Sequence, residues 1–381
     1  MLRLPHRARI AWLITALAAC HASDNSPPAS PLAAPADTGD DGGQHPGCRP
    51  LEAIAGPIDA SQRDNDTACR TGSAGSAHAC HLVGWSLVDA LEGARDYQRA
   101  LAYLACACER GDGGGCNAWG TMFDHGRGVR EDPVRAAALY ERACRDGSGE
   151  GCTNLAVDKE RGRGMAVDLA EAKALYEAAC SVMKEADACA GLGYLYERGL
   201  GVERDPERAV SLYGPACTQG SATACNNLGH ACAEGRGRTR DASCAVSNYQ
   251  KACESDYPLG CANLGELYAN GSGVEHDDAK AAELYDRGCQ MAVAIGRDYA
   301  CARLAQLVFA GRSNRIPPER AGTYAENACA AGESEGCIAL GVRAMRSGNV
   351  EQARRDLTRG CDLGNSRACG GLRMIESRPG D

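Results

Sequence analysis

Apolar and small residues return along this chain at helical spacing, in blocks cut at regular intervals by glycine. The stretch from Cys189 to Cys217 shows the unit. Leu192, Gly193, Leu195 and Tyr196 follow the cysteine at helical spacing, which predicts a first helix. Gly199-Leu200-Gly201-Val202 breaks it. Asp205-Pro206 starts a second helix, Asp as N-cap and Pro at the first helical position. Ala209, Leu212, Tyr213 and Ala216 mark its apolar face, and it ends at Cys217. The same break recurs as Gly126-Arg127-Gly128-Val129, Gly162-Arg163-Gly164-Met165 and Gly271-Ser272-Gly273-Val274. Asp132-Pro133 opens another second helix, and Tyr140, Tyr176, Tyr213, Tyr249 and Tyr285 each stand four residues before a cysteine.

The cysteines give the period. Cys108, Cys144, Cys180, Cys217, Cys253, Cys289, Cys329 and Cys361 begin eight pairs that Cys116, Cys152, Cys189, Cys225, Cys261, Cys301, Cys337 and Cys369 complete. Each second member precedes the next first member by 28 residues, shortened to 24 between Cys337 and Cys361, and Cys69 with Cys80 reads as a ninth pair. A period of about 36 residues means stacked helix-turn-helix units, each unable to bury its apolar face alone. The expected fold is all-α, an αα-superhelix (solenoid) of about eight disulfide-stapled repeats. The last unit lacks the long glycine turn, as a capping repeat does, and the turn Gly311-Arg312-Ser313-Asn314 has lost its second glycine.

The chain's start bears on redox state. Arg3, Arg7 and Arg9 precede an apolar run, Ile10 to Ala19, that is too short to span a bilayer, so 1–19 reads as a secretion signal. Leu17-Ala18-Ala19-Cys20 resembles the lipobox of bacterial lipoproteins, which implies lipidation of Cys20; ordinary signal cleavage is the alternative. Residues 20–47, rich in Pro, Ala, Ser, Asp and Gly, form a flexible tether; the repeats are expected over 48–372 and a tail over 373–381. The implied location is the bacterial envelope, lipid-anchored, with His21 after the cysteine favouring the outer membrane.

In an exported chain 23 cysteines read as disulfides. Pairs at the end of one second helix and the start of the next first helix would staple the turn between units. Each would stabilise by roughly 2.5 kcal/mol in the chain-entropy model. Cys232 and Cys244 fall on facing helices of one unit and are expected to cross-brace it. Cys48 and Cys106 remain, either paired or free. Zinc sites need Cys-x-x-Cys spacing or converging histidines, and the eight His do not track the cysteines, so no metal and no cofactor are expected. The net charge is −9, and the signal removes only basic residues, which argues against nucleic acid as a partner.

Leu-Gly-x-Leu-Tyr, Gly-x-Gly-Val, Asp-Pro-x-x-Ala and Leu-Tyr-x-x-Ala-Cys at this period resemble Sel-one-like repeats, relatives of tetratricopeptide repeats. The cysteine staple is similar to the cysteine-rich secreted subset typified by the Helicobacter cysteine-rich proteins. The resemblance spans about Cys69 to Leu372. It implies a right-handed superhelix whose first helices line a concave wall, acting as an adaptor for a protein or peptide. It also implies a second possibility, since some members are described as penicillin-binding or weak β-lactamases. That chemistry needs Ser-x-x-Lys, which occurs at Ser181-Val182-Met183-Lys184; Ser23-Asp24-Asn25 matches a further triplet, and no Lys-Thr-Gly occurs. For the adaptor, the position two after the second cysteine holds Asn154, Asn227, Asn263 and Arg303. An asparagine amide there can hold a peptide backbone as donor and acceptor together. Helix capping is the competing explanation. The expected function is an extracytoplasmic scaffold that binds a protein or peptide, with a β-lactam hydrolase or a passive envelope spacer as alternatives.

Overall fold

The structure, a computed structural model, describes residues 51, 60–89, 95–291 and 296–377. The signal segment, Cys20, the tether and Cys48 lie outside them. All regular structure among the described residues is helical. After a 3-10 turn at Ala60–Gln62 come α1 (Arg63–Thr71), α2 (Ser76–Val88), α3 (Tyr97–Glu109), α4 (Gly113–Asp124), α5 (Pro133–Arg145), α6 (Gly149–Arg161) and α7 (Leu169–Ser181). Then follow α8 (Ala186–Arg198), α9 (Pro206–Thr218), α10 (Ala222–Glu234), α11 (Ala242–Glu254), α12 (Pro258–Asn270) and α13 (Asp278–Gln290). The last are α14 (Arg297–Phe309), α15 (Pro318–Ala330), α16 (Ser334–Arg346), α17 (Val350–Asp362) and α18 (Ser366–Glu376). Even-numbered helices are the first helices of the repeats and odd-numbered ones the second. The chain forms an α-solenoid of two compact units, one ending at Ala188 and one running from Cys189.

Local chemistry sets the helix ends. Asp132, Asp168, Asp205, Asp241 and Asp277 each accept a bond from the backbone N–H three residues on, capping five successive second helices. Each such cap is worth about 1 kcal/mol. Gly162, Gly235 and Gly271 end first helices in the left-handed conformation.

In four hairpins the tyrosine four before the cysteine packs on a glycine of the first helix, Gly120, Gly193, Gly229 or Gly265, and the hairpin of Tyr176 has Ala156 at that position in the sequence. A Cβ on Gly193, Gly229 or Gly265 would come within 2.5, 2.7 and 2.8 Å of the rings of Tyr213, Tyr249 and Tyr285. Tyr103, Tyr176, Tyr213 and Tyr285 are fully buried. A ring of this size contributes on the order of 2–3 kcal/mol by leaving water. Alanines fill the rest, so the core is thin and stacking supplies it.

Packing between repeats explains the second glycine of the Gly-x-Gly turn. Gly164 (φ +70°) sits where a Cβ would meet the Pro133 carbonyl oxygen at 2.2 Å, and Gly237 (φ +66°) where it would meet that of Pro206 at 2.1 Å. The turn of one repeat therefore rests on the start of the previous repeat's second helix, backbone against backbone.

Disulfides join Cys69–Cys80, Cys108–Cys116, Cys144–Cys152, Cys217–Cys225, Cys253–Cys261, Cys289–Cys301, Cys329–Cys337 and Cys361–Cys369, with Cα separations of 4.4–4.8 Å. Each spans the junction from a second helix to the next first helix. Cys232–Cys244 links α10 to α11 at a Cα distance of 5.8 Å. Cys180, Cys189 and Cys106 are also disulfide-bonded. Helix α18 runs on to Glu376, because Ile375 is buried against Leu357 and its neighbours.

Candidate functional site on the first-helix wall

Within each unit, first helices touch one another directly, α2 with α4 and α4 with α6, then α10 with α12, α14, α16 and α18 in succession. Second helices make no comparable contact with each other among the described residues. The first helices therefore form one wall of each unit.

In the unit ending at Ala188, Asn154 Nδ2 donates to Asn117 Oδ1 at 2.8 Å, and Asn117 Nδ2 donates to Glu150 Oε2 at 3.2 Å. In the other unit, Asn263 Nδ2 donates to Asn226 Oδ1 at 2.8 Å. The register is identical. An asparagine two after one cysteine bonds the asparagine one after the cysteine of the preceding repeat. Capping is not the task of Asn154 or Asn226, since Ser148 and Ser221 cap their helices by accepting from Gly151 and Ala224 N–H, each at 3.0 Å; the helix of Asn263 has Tyr257 at its N-cap and no side-chain cap bond. Asn227 differs. Its Oδ1 accepts from Asn226 Nδ2 at 3.4 Å, while its own Nδ2 is buried near Tyr213 without an aligned hydrogen bond.

Arg303 is 9% exposed. It donates to Glu266 Oε2 and, at 2.8 Å, to Gln306 Oε1, and stands 3.6 Å from Glu335 Oε2. Its guanidinium carbon lies 5.8 Å from the Tyr285 ring centroid. Burial opposes its charge, but the Tyr285 and Glu266 partners outweigh this and hold it protonated. Gln306 Nε2 also donates to Glu335 Oε2 at 2.6 Å. The wall of this unit thus carries Asn227, Asn263, Glu266, Arg303, Gln306 and Glu335, a row of donors and acceptors spanning α10 to α16.

Ser181 and Lys184 are not arranged as nucleophile and base. The serine hydroxyl donates to the Glu177 carbonyl at 2.5 Å, and Lys184 Nζ donates to the Ser181 carbonyl at 2.6 Å. Both residues are exposed at the end of α7. Ser23 to Asn25 lie outside the described residues.

Two sets of polar residues escaped the sequence reading. The arginine inside the glycine turn reaches back one repeat. Arg163 Nη2 donates to the Asp124 carbonyl at 2.8 Å, and Arg312 Nη2 donates to the equivalent Ala269 carbonyl at 3.1 Å. Arg236 Nη1 donates to Glu197 Oε1 at 2.9 Å. In addition, buried tyrosine hydroxyls donate to carboxylates of their own hairpin: Tyr176 to Glu160 at 3.1 Å and Tyr213 to Glu197 at 2.9 Å. The recurrence of Gly-Arg-Gly was a signal, but nothing local says where the arginine goes. Next to Arg163, Asp158 is 4% exposed; burial first, then the nearby Asp124 charge, raise its pKa to about 7.

The Sel1 repeat model matches six segments, 77–112, 114–148, 149–181, 186–221, 222–257 and 258–293. Two solved structures share the fold. One is c5321, a protective antigen of uropathogenic Escherichia coli with an SLR fold: TM-score 0.53, 26% identity, 83% of this chain and 68% of that one covered. The other is a Sel1 repeat protein from Oxalobacter formigenes: TM-score 0.51, 25% identity, 65% and 96% covered. Cysteine-rich protein B of Helicobacter pylori is 29% identical over 34% of this chain and 96% of that one, with a TM-score of 0.28. No curated protein matches the sequence. Helices α14 to α18 continue the hairpin pattern beyond the last matched segment. With six repeats that together span more than half its length, the chain belongs to the Sel1 repeat family.

Proposed function

We propose that this chain is an extracytoplasmic scaffold, lipid-anchored through Cys20 in the bacterial envelope, that binds a protein or peptide on its first-helix wall. Repeat scaffolds of this kind serve protein–protein interaction, and the wall is the surface where successive repeats present side chains in register. The supporting observation is the polar row from Asn227 to Glu335, side chains that successive first helices bring together along one wall. An extended peptide crossing the row would find alternating donors and acceptors for its own backbone. Disulfides at nearly every repeat junction support an oxidising compartment, since reducing cytosol does not maintain them.

The test is site-specific photo-crosslinking in envelope preparations. A photoreactive residue at Gln306 should capture one discrete partner, which Asn227→Ala combined with Asn263→Ala should abolish. The same probe at Val134, 64% exposed on second helix α5, is the control. Equal capture from Val134 would move the site off the wall. Capture from neither would leave the spacer.

A further inference from the structure

Near the start of the first unit, three side chains from different turns converge. His78 and His81 lie on one face of α2, three residues apart. Asp112, the N-cap of α4, faces them with both carboxylate oxygens. His81 Nδ1 stands 3.1 Å from Oδ1 and His78 Nδ1 3.2 Å from Oδ2. The rings meet edge to face with centroids 5.7 Å apart, and the three ligand atoms lie within 4.8 Å of one another.

We propose that His78, His81 and Asp112 bind a divalent transition-metal ion of the zinc class. Tetrahedral zinc with bonds of about 2.0–2.1 Å requires ligand-to-ligand edges of roughly 3.3 Å. Each histidine nitrogen stands near that distance from a carboxylate oxygen, His81 from Oδ1 and His78 from Oδ2, and one ligand atom from each of the three residues falls within 4.8 Å of the others. Two imidazoles and one carboxylate suit zinc and its neighbours, and disfavour magnesium and calcium, which prefer oxygen ligands.

Three independent features prepare the site. His81 Nδ1 is buried and, despite its proximity to Asp112, makes no aligned hydrogen bond. Protonated on Nε2, the neutral ring would turn its Nδ1 lone pair toward an ion held beside Asp112. Gly114 leaves room for the ring: a Cβ there would come within 2.5 Å of His81 Cε1 and 2.9 Å of Nδ1. Asp112 is fixed before any ion arrives, since Oδ1 accepts the Gly115 N–H at 2.6 Å. Three protein ligands leave the fourth position to water on the side of His78, whose side chain is 65% exposed. An ion here would bridge α2 to α4, pinning the first hairpin to the second across the junction that Cys108–Cys116 staples.

The cysteine sulfurs nearby do not compete. Cys69 and Cys80 are bonded to each other, and Cys106 is disulfide-bonded too.

The experiment titrates zinc chloride into the full oxidised chain, with any remaining thiols blocked, and follows heat and melting temperature. Cobalt(II) absorption reports coordination geometry. The expected result is one saturable ion per chain and a melting temperature that rises with zinc. His78→Ala removes an exposed ring and should weaken binding at least tenfold. Asp112→Asn keeps a good N-cap and should weaken it comparably, while His230→Ala should leave it unchanged. Absence of saturable binding would overturn the proposal. So would unchanged, wild-type affinity in both ligand variants, which would place the ion elsewhere.

Discussion

Replacing Gly237 by alanine tests the idea that repeats are stacked backbone on backbone, and its neighbour in the same turn supplies the control. Gly235 and Gly237 both have positive φ, +74° and +66°. Alanine at either position bears the left-handed penalty of about 1–2 kcal/mol. There the likeness ends. A Cβ at 235 meets nothing nearer than Arg240 at 3.4 Å, an ordinary contact. A Cβ at 237 falls 2.1 Å from the Pro206 carbonyl oxygen and 2.7 Å from the Glu207 nitrogen. Both obstacles are main chain at the start of a helix and cannot rotate away. Relief needs the two backbones to part by roughly 1 Å, an overpacking cost of about 1–3 kcal/mol more. Gly237→Ala should therefore cost about 2–5 kcal/mol against 1–2 for Gly235→Ala. Repeat arrays open locally, so native hydrogen exchange of the oxidised chain is the suitable assay. Amides of α9 beyond its first turn should exchange on the order of tenfold faster in Gly237→Ala than in Gly235→Ala, because each 1.4 kcal/mol is a factor of ten. Equal protection in the two variants would refute the argument, leaving the second glycine a matter of φ alone.

Other outcomes follow from the same structure. Asp158 has a folded pKa raised to about 7, by burial first and then by Asp124. An acid raised in the folded state binds its proton more tightly there, so stability is full at low pH and falls as pH climbs from about 4 through 7. Asp158→Asn should remove that loss, raising the melting temperature at pH 8 and changing it little at pH 3; parallel shifts at both would contradict this. Asn154→Ala leaves buried Asn117 Oδ1 without its donor and should cost about 1–3 kcal/mol in urea unfolding; a neutral effect would mean the pair is unimportant. Replacing Cys232 and Cys244 together by alanine opens a short loop and should cost about 3 kcal/mol. Replacing Cys232 alone should also leave Cys244 as one titratable thiol, and finding none would mean that Cys232 is not disulfide-bonded.

The sequence disclosed whatever is governed by residues close together along it. Asp205-Pro206 announces a helix start because a cap and a fixed φ act within one turn, and the paired glycines announce the end of the helix before it. The cysteine ladder carried the period because a staple across a short turn needs only local geometry. From these the all-α solenoid was legible, as was its repeat length. Asn154, Asn227, Asn263 and Arg303 could be singled out by register, but their partners could not. Asn154 meets Asn117 and Arg303 meets Glu266, in both cases 37 residues away.

Only stacking decides such distances. A residue one repeat back comes within bonding range when two hairpins settle at a particular rise and rotation, set by how closely their backbones approach. That approach depends on Gly164 against Pro133 and Gly237 against Pro206, contacts absent from any single repeat. The same stacking carries Arg163 to the Asp124 carbonyl, and packing α2 beside α4 brings two histidines to the carboxylate of Asp112. Local free energies wrote the repeat into the chain, and the geometry between repeats determined which of its polar side chains meet.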